Sequence, residues 1–266
     1  MSEPDPAAPS EPLGPERTVR LLGAASVGGA PVAYVVVLGA VVAVLSFIPF
    51  SVALSAGGSF PMAQGVYPLM GWLLGPAGGA VASAMGSLVG LFLAPHTAGI
   101  PWLTVGGAAT GALFAGCIVA RGRRALALGA VLLVAGETWL FSHHATVANG
   151  VRPGIFLLAY LAHFAAMVLF LLPTRRWIGR LIESPDLGRV WLGLFLGTWC
   201  ATSLMMFSES FVSYWLLNWP SPLFVMFIGI IPLEEAARSG IGAVIGTGVI
   251  AGLRSIALPR PPGARY

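Results

Sequence analysis

The sequence predicts an all-α fold, a polytopic transmembrane helical bundle of about six to eight spans with one short broken helix. Three observations predict it. Of the 266 residues, 57% are hydrophobic and 9% charged, with a mean hydropathy of +0.86. A soluble domain of this length needs far more charge to cover its surface. The apolar residues also come in long runs, separated by short basic or Pro/Gly-rich breaks. Lipid offers no partner to backbone polar groups, so such runs imply helices. Runs such as Val35 to Leu45 lack the alternation of a transmembrane β-strand. Finally, the arginines fall almost entirely in the breaks that one face of a membrane would collect.

Residues 1–26 carry prolines 4, 6, 9, 12 and 15 among four acids and two arginines. They read as a disordered cytoplasmic tail. The apolar run that follows has no secretory cleavage pattern and is expected to stay as an anchor. The transmembrane domain covers 27–253, with spans at 28–50, 62–75, 76–95, 101–120, 125–142, 154–173, 190–217 and 222–253. Residues 254–266 form a second cytoplasmic tail. The 62–75 segment contains Pro68 and ends at Gly75-Pro76. As a helix it would reach only ~21 Å of the roughly 30 Å hydrocarbon layer, so it is read as a short, broken crossing. Pro232 is expected to divide the last run into an outer piece, 222–231, and a crossing, 233–253.

Both termini inside places Arg17/Arg20, Arg121/Arg123/Arg124, Arg175/Arg176/Arg180/Arg189 and Arg254/Arg260/Arg265 in the cytoplasm. Only Arg152 and Arg238 are exceptions. The expected location is the inner (plasma) membrane. Cys117 and Cys200 sit in apolar runs and read as small packing residues.

Small residues recur at four-residue spacing: Gly78/Ala82/Gly86/Gly90, Gly107/Gly111/Ala115, Gly242/Gly246 and Gly248/Gly252. Such stripes let helices approach closely, within the chain or against a partner. On the first span, Gly29/Ala33 and Gly39/Ala43 are the candidates for docking a partner.

Ionisable groups inside spans are costly to bury and so mark candidate sites. Glu137, Glu209, Glu234, Glu235 and Arg238 all fall in the outer half of the expected topology. Gln64, Tyr67, Trp139, His143 and Trp215 lie at the same level. Together they form the candidate substrate-binding set, suited to a small ligand with hydrogen-bond donors or a cationic ring. Glu234 or Glu235 can pair with Arg238 along one helix, whereas Glu137 and Glu209 have no local basic partner. His163 reads as a helix–helix hydrogen bonder.

No H-E-x-x-H, Walker A or dinucleotide-binding glycine motif is present. Glu234-Glu235-Ala-Ala-Arg238 resembles the E-E-x-x-x-R motif of CAAX-type membrane proteases, but is one residue short and has no histidine after it. The chain is expected to have no catalytic residues, no metal site and no cofactor.

The stretch 60–117 contains Phe60-Pro-Met-Ala-Gln-Gly-Val-Tyr-Pro-Leu-Met-Gly-Trp-Leu-Leu-Gly-Pro-Ala-Gly-Gly-Ala, then Ala84-Met-Gly-Ser-Leu-Val-Gly, Pro95, Gly99 and Pro101. It resembles the substrate-binding membrane subunit (S component) of energy-coupling factor (ECF) vitamin transporters. That family has a short second helix and a G-x-L-L-G-P-x-x-G turn into a Gly/Ala-rich third helix. The family usually has six helices, and an acid is common where Ser87 stands here. The resemblance implies high-affinity binding of a small vitamin-like nutrient. It also implies a transmembrane coupling subunit and cytoplasmic ATPases as partners. The residues themselves leave two alternatives: a self-sufficient secondary transporter or channel using the in-span carboxylates, or a structural membrane subunit that binds no ligand.

Overall fold

A computed structural model describes residues 25–53, 58–97, 99–119, 124–256 and 260–266. Most of the expected N-terminal tail, with Arg17 and Arg20, lies outside the described residues, as do Arg121 and Arg123.

A two-residue hairpin, β1 (Ser26–Val27) and β2 (Ala30–Pro31), leads into α1 (Val32–Leu45). A second hairpin follows, β3 (Pro49–Ala53) paired antiparallel with β4 (Gly58–Pro61). After a 3-10 turn at Met62–Gly65 come α2 (Tyr67–Leu93), α3 (Pro101–Val119), α4 (Arg124–Val147), α5 (Pro153–Ala159) and α6 (Leu161–Leu171). A short α7 (Thr174–Ile182) precedes the two long helices α8 (Leu187–Leu217) and α9 (Ser221–Ser255). The architecture is a helical bundle of the multi-pass membrane type, with two small β-hairpins. Among the described residues, four helices are long and apolar enough to cross a membrane: α2, α3 through Ile118, α8 and α9. A fifth crossing results if α5 and α6, bent by 66° at their junction, act as one broken span. Val37, Val44, Phe92, Leu132, Leu133, Val225 and Val244 lie exposed on helix flanks. An outer surface of this kind suits lipid rather than water.

Several sequence boundaries change. The expected first span, 28–50, is helical only over the 14 residues of α1. Pro49 instead opens the β3–β4 hairpin, since proline lacks the donor an ongoing helix needs. The expected break at Pro232 does not occur: α9 runs 35 residues through it. A membrane helix tolerates the one lost hydrogen bond where neighbouring groups accommodate the freed carbonyl.

The largest difference concerns 62–75. Gly75 adopts φ 79°, ψ 173° inside α2, a conformation open to glycine and strained for other residues. The chain reverses there. A Cβ on Gly79 would lie 2.7 Å from Gly71 Cα and 2.6 Å from Met70 O, so the two arms of α2 press backbone to backbone. The first arm is buried throughout and starts near the bundle's middle, where a Cβ on Gly65 would lie 2.9 Å from Arg238 O. It is a half-length helix.

The basic segments gather at one end. Arg254 Nη1 and Nη2 donate to Ser184 O (2.6 Å) and Ile182 O (2.9 Å). Arg265 N donates to Trp72 O (2.8 Å), and its guanidinium reaches Glu183 at 3.4 Å. Gly29 packs on Pro262 and Gly75 on Gly263. The start of α1, the Gly75 reversal, the α7–α8 loop and the C-terminus therefore share this end. At the other end Asn149 Nδ2 donates to Asn218 Oδ1 (2.9 Å) and Trp219 O (3.0 Å), tying the α4–α5 and α8–α9 loops together. Arg152 is at that second end.

Candidate functional site

Arg238 is the seat of the polar interior. It lies 17 residues from either end of α9, and only 2% of its surface is exposed. Its Nε donates to Gln64 Oε1 (3.0 Å), its Nη2 to Glu234 Oε2 (2.8 Å) and its Nη1 to Glu235 Oε1. The two acids come from the i,i−4 and i,i−3 positions of the same helix, where such pairs meet. Gln64 comes from the 3-10 turn that opens the half-length helix. Phe60, at the end of the β3–β4 hairpin, covers the guanidinium with its ring centroid at 5.5 Å.

Glu235 is 1% exposed and has a second set of partners on α8. Thr202 Oγ1 lies 2.8 Å from Glu235 Oε2, and Ser203 Oγ lies 3.4 Å away. Thr202 Oγ1 is also 2.8 Å from Thr198 O, so one proton faces two acceptors. His163 Nε2 stands 3.9 Å from Glu235 Oε1, while its Nδ1 has no partner among the described residues. The expected helix–helix role of His163 is thus a loose approach from α6 to α9.

Glu209 stands apart. It is half-buried on α8 and rests against Gly107 of α3, where any Cβ would collide with the carboxylate. Among the described residues it makes no hydrogen bond or ion pair. One turn along the same seam, Gly111 faces Met205 and the Cβ of Tyr67. The Tyr67 hydroxyl is buried, faces Ser87 and is within electrostatic range of Glu209. A direct Glu209–Arg238 pair does not form; the arginine is already held by Glu234, Glu235 and Gln64.

The remaining candidates divide. Glu137 accepts a hydrogen bond from Ser208 Oγ and so joins α4 to α8 beside Glu209. Trp139 and His143 stack on the exposed flank of α4, their centroids 5.6 Å apart. With Thr146, Pro153, Phe156 and Phe164 they line an open groove of about 360 Å³. Trp215 packs against His144 at 4.1 Å and is otherwise exposed. These three rings do not reach the central cluster. His143 and His144 are both on the last turns of α4.

Most of the small-residue stripes find neighbours inside the chain. Gly86 meets Gly39 and Val42, and Gly90 meets Ser46, so the α2 stripe packs on α1. On the expected partner-docking face, Gly39 packs against Ala82 and Gly86 of α2, and Ala43 is buried. Gly29 is in the turn before α1, against Pro262, and both Gly29 and Ala33 are exposed. Gly242 and Gly246 pack on the Gly65 turn and α8, whereas Gly248 and Gly252 face open space.

Thr202, Ser203 and Ser208 belong to the polar interior but were not singled out in the sequence. The signal was there: Thr198 and Thr202 fall one turn apart within an apolar helix, which puts their hydroxyls on one face. Among the described residues no cluster of His, Cys, Asp or Glu could hold a metal ion. Cys117 and Cys200 are both buried. Compared with known protein families, curated proteins and solved structures, the chain matches none.

Proposed function

We propose that this chain is a membrane-embedded binder of a small, vitamin-like nutrient, the substrate-binding subunit of an ATP-driven uptake system whose energy comes from separate subunits. One observation carries the reading. Charged and polar side chains converge at mid-bundle under the β3–β4 hairpin, and beside them the Glu209 carboxylate makes no hydrogen bond or ion pair among the described residues. A carboxylate withdrawn from water is retained when a ligand, an ion or a proton compensates it. The formal inventory is lopsided: Glu209, Glu234 and Glu235 face a single arginine. A ligand with hydrogen-bond donors or a positive charge would restore the balance. The half-length helix and its Gly75-Pro76 reversal support the resemblance to the S components of ECF transporters. In this reading the arginine-rich end, with both termini, faces the cytoplasm of the plasma membrane and the β3–β4 hairpin lies toward the outside.

A second reading has its own support. Thr202 and Ser203 of α8 line up with Glu235 of α9 as a buried chain of hydroxyl and carboxylate oxygens. That arrangement, with His163 nearby, suits a proton-coupled secondary transporter. Purification of the tagged chain from its own membranes separates the two. Recovery of a second membrane subunit with ATPases supports the first. Proton-driven uptake by the chain alone in proteoliposomes replaces it with the second.

A further inference from the structure

We propose that α7 and its arginines form a binding site for the phosphate headgroups of anionic phospholipid at the basic end of the bundle. The nine residues of α7, Thr-Arg-Arg-Trp-Ile-Gly-Arg-Leu-Ile, divide sharply between faces. Ile178, Leu181 and Ile182 are buried, and they pack over Gly193 and Gly197 of α8. Arg176 and Arg180 are one turn apart on the opposite face, and both are exposed. Arg175 flanks the buried face and is half-buried.

The pairing of the arginines at this end is uneven. Arg254 is held by two backbone carbonyls, Arg265 by Glu183, and Arg260 lies 5.0 Å from the Tyr266 ring centroid. By contrast, Arg175, Arg176 and Arg180 make no side-chain hydrogen bond or ion pair among the described residues. Arg189 has only Asp186, at 3.8 Å with both side chains exposed. Like charges at i,i+4 repel along a helix, so Arg176 and Arg180 gain from an external anion. Arginine presents the forked donors that phosphate accepts.

The border of the patch identifies the anion's source. Trp177 is exposed within α7, and Leu171, Leu172, Leu187 and Trp191 are exposed on the adjoining ends of α6 and α8. Aromatic and aliphatic side chains beside arginine match the boundary between headgroups and acyl chains. A free phosphate needs no such border.

Native mass spectrometry of the full chain, released from micelles containing equal phosphatidylglycerol and phosphatidylcholine, tests this. The wild type should retain phosphatidylglycerol selectively. R176Q/R180Q should weaken that retention by about fivefold per arginine removed. R152Q, at the other end of the bundle, should behave as wild type. Glycerol phosphate at matched concentration should not compete. Equal phosphatidylglycerol retention by R176Q/R180Q overturns the proposal. So does full competition by glycerol phosphate, which reassigns the patch to a soluble anion. Loss of a protein partner by R176Q/R180Q with lipid retention unchanged also overturns it, in favour of a protein interface.

Discussion

Arg238 shows what a single charge does at the centre of a helical bundle. Its three side-chain partners and the Phe60 ring replace the water it has lost. Removing it leaves Glu235 buried without its cation. Arg238→Leu is therefore expected to destabilise the protein by about 3–5 kcal/mol, while Arg238→Leu with Glu235→Leu recovers much of that loss. Denaturation followed by tryptophan fluorescence checks both variants. Glu209 should behave differently, because no protein group depends on it. Glu209→Gln is expected to leave stability unchanged and to weaken ligand binding by more than about 1.5 kcal/mol, the scale of a charged hydrogen bond. Unchanged affinity in that variant would remove Glu209 from the site. At this scale the sequence was informative where local spacing sufficed. The Glu234/Glu235/Arg238 pairing follows from i,i+3 and i,i+4 geometry. The bond from Gln64 crosses 174 positions, and no local pattern announces it.

At the scale of elements, glycine placement decides how closely helices approach. A Cβ at Gly86 would lie 2.6 Å from the Val42 Cβ and also strike the Gly39 carbonyl, whereas one at Gly248 meets nothing within 4 Å. Gly86→Leu is thus expected to cut the yield of folded, monodisperse protein sharply, and Gly248→Leu to be tolerated. Size-exclusion profiles of the two variants make the comparison. Gly75→Ala places a side chain at φ 79° and should cost about 1 kcal/mol or more from backbone strain alone. The helices were largely legible in the sequence because lipid forces long apolar runs to satisfy their own backbones. Two features were not. The reversal at Gly75 was read only as a break, since a Gly-Pro pair marks a turn without fixing its angle. The β3–β4 hairpin was hidden because Ile48, Pro49 and Phe50 continue the apolar run of the helix before it. The fate of the stripes was equally illegible, because a small-residue face looks the same whether it meets its own chain or another.

For the whole molecule, the arginine distribution and the packing agree on one basic end. Arg254 and Arg265 bind the α7–α8 loop, and Arg152 lies with Asn149 at the far end. In a background lacking Cys117 and Cys200, a cysteine at Arg176 should resist an impermeant thiol reagent in intact cells, and one at Asn149 should react. The opposite pattern would invert the proposed orientation. Binding of a small nutrient at the polar centre is the central claim, and direct detection of that ligand tests it most directly. Native mass spectrometry of the gently purified chain should reveal a small molecule retained at one per protein. That mass should be lost in Glu209→Gln, with the variant still folded. A wild type that carries no small molecule, even after incubation with a mixture of water-soluble vitamins, or a retained mass that Glu209→Gln keeps in full, would contradict the account.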